Sequence, residues 1–360
     1  MAIKRILGSA VMVAASLLVA LVLGEILVRA LYKDQTVMFP RYHTDYRYGE
    51  YTLRGIRPNS QFWHTSVDGS WKFETNSKGM RDTREFAYAK PAGTLRILAL
   101  GDSHTQGYEV RQELTFSSVL ERYLASHGVR AEVLNAGVSG FSTAEELAYL
   151  ENEGYKYQPD VVVLGFYAND FEDNLKAGLF KLQDDKLVAV KREHVPGVRI
   201  QNAIYAVPGV RWLSENSYAY SVAFNGVWMH FKSALQESAR NDAAPADGGE
   251  FEYAVATKSG HSPYETGLAA ALIQRMREFC EARGIRLIVV EIPQTTNERY
   301  RFVESLPPGM LKDVELVTSR GLLADFDGAA EVHRPHGHRH ITEFTHTMIG
   351  VELGRRILKR

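Results

Sequence analysis

The sequence predicts a doubly wound α/β domain built on about five parallel strands. Two observations carry that expectation. From Leu95 onward, short apolar runs alternate with stretches of helical periodicity. One run, Val161-Val162-Val163-Leu164, is continuously apolar, as a strand covered on both faces should be. Strands are expected over Leu95–Leu100, Glu132–Asn135, Val161–Phe166 and Arg286–Glu291, with a weaker fifth near Leu322–Phe326. Helices are expected over Phe116–His127, Ala144–Glu153, Glu265–Ala282 and Thr342–Leu358. Parallel strands joined by such helices make a sheet with helices on both faces.

Composition narrows the classes. The 360 residues are 45% hydrophobic and 24% charged, with a formal net charge of −1. That suits a globular chain and gives no basic stripe for a nucleic-acid partner. A single cysteine, Cys280, excludes an intramolecular disulfide and argues against a cysteine-ligated zinc site. It falls in a helical pattern with Met276 and Phe279, where a small buried thiol is the expectation.

Lys4 and Arg5 precede a span from Ile6 to Leu23 with no charged side chain. About 18 apolar residues can just cross a bilayer as a helix. No A-x-A-like cleavage site follows Leu23, so residues 1–34 read as an uncleaved signal anchor. The basic flank puts the amino terminus in the cytoplasm and the rest on the extracytoplasmic side, the periplasm of a Gram-negative cell.

Residues 35–93 are rich in Tyr, Arg, Gly and Asn and read as a leader packed on the domain. Gln61–His64 and Trp71–Glu74 alternate around Asp68-Gly69, which predicts a hairpin. The domain proper spans 94–360. Alternation fails over 173–262, an insertion with Asp184-Asp185-Lys186 as a turn between short strands. Its aromatics, from Tyr205 through Trp212, Tyr218, Tyr220 and Phe224 to Trp228 and Phe231, make either a lid or a satellite core. Ala239–Gly249 reads as a loop.

Four short blocks sit where chemistry is expected, at strand ends and before the last helix. They are Gly101-Asp102-Ser103, Asn135-Ala136-Gly137-Val138-Ser139-Gly140, Tyr167-Ala168-Asn169-Asp170 and His340-Ile341-Thr342. In order and spacing they resemble the SGNH/GDSL hydrolase family, whose fold is a flavodoxin-like doubly wound sheet. The leader's Asn76–Arg81 resembles the segment preceding this domain in membrane-anchored bacterial members. The resemblance implies Ser103 as nucleophile and His340 as general base. It implies an oxyanion hole from the N–H of Ser103, the N–H of Gly140 and the side-chain amide of Asn169, with Gly137 competing for the place of Gly140. Asp102 is implied to be structural. His104, after the Ser, either lines the acyl pocket or is a turn residue.

One position departs from the pattern. The family commonly carries D-x-x-H, and here the Asp position holds Gly337. Ser103 and His340 could act as a dyad, or Asp325, Asp327 or Glu331 could supply the orienting acid, or the domain could be weakened. His333, His336, His338, His340 and His346 match no common zinc spacing, so no metal and no cofactor are expected. The resemblance implies a serine esterase acting on carboxylic esters, O-acetyl groups on glycans or lipids among them. O-acetyl transfer to envelope glycans is the close alternative, and a catalytically silent glycan-binding domain is the rival from another class.

Overall fold

The computed structural model describes residues 2–195, 197–227, 261–295, 302–307, 309–336 and 339–359. A long helix, Ala2–Tyr32 (α1), comes first. It is the one helix among the described residues long and apolar enough to cross a membrane. Its large apolar side chains from Ile6 to Leu31 are exposed, unlike those of a core helix. The leader then forms two hairpins. Strands His43–Tyr48 (β1) and Tyr51–Ile56 (β2) pair antiparallel, as do Gln61–Ser66 (β3) and Gly69–Glu74 (β4).

The central strands are Leu95–Gly101 (β5), Ala131–Asn135 (β6) and Val161–Phe166 (β7). Helices Ser103–Gln106 (α2), Phe116–Ser126 (α3), Thr143–Asn152 (α4) and Asp170–Ala177 (α5) follow or connect them. Within the insertion, Phe180–Gln183 (β8) and Lys186–Ala189 (β9) make a hairpin, and Glu193–His194 (β10) pairs with β2. The chain returns with Arg286–Glu291 (β11), a small ladder of Gln294–Thr295 (β12) with Phe302–Val303 (β13), and Glu315–Val317 (β14).

The five-stranded parallel sheet runs β14-β11-β7-β5-β6. In chain order among its members that is 5-4-3-1-2, the flavodoxin-like arrangement. The fifth strand is a correction: it lies at Glu315–Val317, beside β11, and Ser319–Leu322 is a helix. The apolar run near Leu322–Phe326 was too short to separate strand from helix by periodicity.

Alternation along the strands builds a core on each face. Ile97, Ala99, Val161, Val163, Ile288 and Val290 face Phe116, Leu120 and Leu124 of α3 and Ile349 and Leu353 of the helix Glu343–Leu358. Leu98, Leu100, Val162, Leu164 and Val289 face the other way, onto α4 and the helix Pro263–Glu281, whose Cys280 is fully buried. Burial pushes the Cys280 thiol up to about 12, so it is inert packing. The leader shares this second core through Leu53, Ile56, Phe62, Phe73 and Met80.

Within the insertion, the Glu25 carboxylate of α1 accepts the N–H groups of Tyr218 and Ala219 at 2.9 and 3.0 Å. Tyr218 is buried, whereas Trp212 is 64% exposed. Trp228, Phe231 and Ala239–Gly249 lie outside the described residues.

Arg96 locks the base of the sheet. Its buried guanidinium pairs with Glu132 at 2.6 Å and donates to the carbonyls of Ala87, Tyr88 and Tyr157. Removing it leaves several polar groups unsatisfied at once. Arg96→Ala should therefore lower unfolding free energy by about 3 kcal/mol, read from urea denaturation of the detergent-solubilised chain.

Candidate active site

The site lies where strand order reverses, at the carboxyl ends of β5, β6 and β7. Ser103 follows β5 directly. Gly101 has φ +150°, and a Cβ there would come within 2.0 Å of Thr105 Oγ1. Gly165, its register partner on β7, would likewise crowd Thr105 Oγ1 at 2.3 Å. Two glycines thus let the short helix α2 sit on the sheet edge. Asp102 caps that helix, its Oδ1 accepting the N–H of His104 at 2.8 Å. From Gly101 to Val110, Ser103 alone is not buried.

His340 precedes the last helix, whose first turn is capped by Thr342. Its Nε2 stands 2.7 Å from Ser103 Oγ. Aromatic rings hold the imidazole on two sides, His104 at 4.9 Å and Tyr108 at 4.9 Å between centroids. His104 is itself buried against Tyr167, and burial holds it well below the usual imidazole range, so it packs as a neutral ring.

Gly140 lies in the loop after β6 with φ +78°, a backbone that favours glycine. The backbone N–H groups of Ser103 and Gly140 find no acceptor among the described residues. The carbonyls of this loop are anchored by the leader: Arg54 donates to Gly140 O, and His43 Nε2 is 3.0 Å from Ser139 O. Gly137 has a different reason to be glycine, since a Cβ there would strike Gln106 N at 2.4 Å.

Asn169 follows β7 and opens α5 without capping it through its side chain. Its amide donates to Asp173 Oδ2 at 3.0 Å and reaches Asp102 Oδ2 at 3.5 Å. Asp102 is fully buried, and burial raises its carboxyl to about 6.

The expected orienting acids need correction. Asp325, Asp327 and Glu331 are all exposed, and Asp327 Oδ1 accepts the N–H of Ala329. The carboxylate beside His340 belongs to Glu109, whose Oε2 is 3.4 Å from Nδ1. Sequence reasoning sought a carboxylate near the His in sequence, whereas the one standing beside it comes six residues after the Ser. An isolated acidic residue in the run Gly101–Val110, beyond Asp102, was the available signal.

The other histidines have structural roles. His333 Nε2 is 2.8 Å from Pro293 O, His336 pairs with Asp68, and His346 Nδ1 accepts the N–H of Phe116 at 3.0 Å. His338 lies outside the described residues.

The model of the GDSL-like lipase/acylhydrolase family matches residues 99–303, more than half of the chain. The chain belongs to this family. Among relatives, an arylesterase of Vibrio mimicus is 36% identical over 75 residues, 21% of this chain and 38% of that protein. The chain thus matches well under half the length of that relative. Among solved structures, the lipase/acylhydrolase from Enterococcus faecalis is 15% identical, with a TM-score of 0.38 over 74% of this chain and 96% of that one. The esterase EstA from Pseudoalteromonas sp. is 13% identical, with a TM-score of 0.37 over 73% and 97%. Of the GDSL blocks, the first three fall inside the matched range and His340 beyond it.

Buried neutral histidines make this domain acid-sensitive. Burial holds His346 down at about 3. The unfolded chain takes up that proton near the ordinary value of 6.5, and the folded chain does not. Its contribution is complete above about pH 6.5 and is lost as pH falls. His346→Asn, which can still accept the Phe116 N–H, should shrink the stability difference between pH 7 and pH 5 by about 2 kcal/mol, measured by denaturation at both pH values.

Proposed function

We propose that this chain is a membrane-anchored serine esterase whose domain stands outside the cytoplasm and cleaves carboxylic esters, O-acetyl esters among them. The observation that carries the reading is the 2.7 Å contact between Ser103 Oγ and His340 Nε2, at the carboxyl edge of the sheet from which the loop of Gly140 also leaves. Such a pair activates a hydroxyl that is otherwise a weak nucleophile. His340 Nε2 takes the proton as Oγ attacks the ester carbonyl. The carbonyl oxygen becomes an oxyanion, held by the two backbone N–H groups. Asn169 adds a third donor when its amide turns from Asp173 to the oxyanion. Collapse expels the alcohol, which leaves with the proton held on Nε2, and the acyl group stays on Oγ. Water then attacks by the same route and the carboxylic acid departs. A sugar hydroxyl in place of water would give acyl transfer through the same intermediate.

The apolar helix α1 supports the anchor, and the tie from Glu25 to Tyr218 supports a domain held close to the bilayer surface.

The test is incubation of the detergent-solubilised full chain with p-nitrophenyl acetate and with a fluorophosphonate probe. Ser103 should be labelled, and Ser103→Ala should abolish both labelling and turnover. A folded wild-type chain that neither labels nor hydrolyses would end the esterase reading. Asn169→Ala should cost about 10²–10³ in kcat, the usual loss for one oxyanion donor. Product analysis with added sugar acceptors distinguishes hydrolysis from transfer.

A further inference from the structure

Glu109 sits at the meeting point of two imidazoles. Its Oε2 is 3.4 Å from His340 Nδ1, and its Oε1 is 4.0 Å from His64 Nε2 on β3 of the leader. The carboxyl group is fully buried, and so is His64. An isolated carboxylate in such a place costs several kcal/mol, and partners that can carry positive charge offset the cost. The backbone is fixed independently of that carboxyl. Glu109 has φ +61°, uncommon for any residue but glycine. Arg334 donates to its carbonyl at 3.0 Å, and the leader's Arg81 donates to the carbonyls of Gln106, Gly107 and Val110 around it. A strained backbone held from several sides at a reacting centre points to function. The ring of Tyr108 stands against both imidazoles, 4.9 Å from His340 and 4.0 Å from His64.

We infer that Glu109 is the positioning acid for His340, replacing the Asp missing at Gly337, and that His64 holds Glu109 from behind, so that the leader completes the active site. The inference rests on the esterase reading. The carboxylate accepts a hydrogen bond from Nδ1–H, leaves Nε2 as the acceptor facing Ser103, and stabilises the imidazolium formed when Ser103 attacks. At 3.4 Å the contact is long, as such contacts often are before substrate tightens them. No bond to Glu109 forms or breaks in the cycle.

The experiment compares wild type, Glu109→Gln, His64→Gln, their double variant and Ser103→Ala, all as full chains in detergent. Readouts are kcat, KM, the rate of fluorophosphonate labelling and the thermal midpoint. Glu109→Gln should lower kcat and the labelling rate by about 10³–10⁴, as loss of a triad acid does, with KM nearly unchanged. His64→Gln should lower kcat less, and the double variant should be no worse than Glu109→Gln alone, because both losses run through one carboxylate. Should Glu109→Gln not fold, Glu109→Met, of similar length without a polar group, carries the same expectation. Glu109 variants within about twofold of wild type, beside an inactive Ser103→Ala, would overturn the inference and leave the esterase standing. Additive losses in the double variant would overturn the part assigned to His64. An active Ser103→Ala would instead remove the esterase reading itself.

Discussion

A buried guanidinium bound to backbone carbonyls holds this structure together at its working end. Arg81 is 2% exposed, and its donors go to Gln106, Gly107 and Val110, the loop that follows Ser103. Its guanidinium carbon lies over the ring of Phe73, 4.3 Å from the centroid. Burial pushes its guanidinium down to about 9, because removing a cation from water is costly. Carbonyls offset part of that cost, because several point inward at once where the chain turns sharply. The guanidinium is planar and has five donors, so one side chain can fix several residues of backbone that no helix or strand would hold.

The leader extends the same role to a second loop. Arg54 and His43 bind the carbonyls of Gly140 and Ser139, which orients the Gly140 N–H away from them. Strand β10 of the insertion adds to the leader's sheet, and Arg57 of the leader donates to Asn202 at 2.7 Å. Three pieces far apart in sequence therefore meet around one sheet edge. Ser103 and His340 come from the domain, while the backbone around them is steadied from outside it.

The core of this arrangement was legible in the amino-acid order, and its edges were not. Four strands and four helices announced themselves because burial on both faces forces long apolar runs and clear periodicity. Ser103 and His340 were found from blocks whose small residues have a steric reason, as Gly101 and Gly165 show against Thr105. The fifth strand escaped because Glu315–Val317 is three residues long and pairs on one side only. Glu109 escaped for a different reason. Its contact with His340 spans 231 positions, and the lone acid in the run after Asp102 gave no sign of where its left-handed backbone would aim it. His64 was read only as one member of a hairpin alternation, with nothing to single it out, yet it is 1% exposed because the hairpin lies over Tyr108.

The backbone of Glu109 also sets a limit on how this protein could be made sturdier. Its φ of +61° carries a cost of roughly 1–2 kcal/mol that glycine would not bear. Selection for thermal resistance alone would favour a glycine there, which relieves the turn. A lineage or a design campaign following stability would thus arrive at a tougher chain with an unanchored imidazole. On the reading inferred above, an acid at so awkward a position exchanges robustness for reactivity.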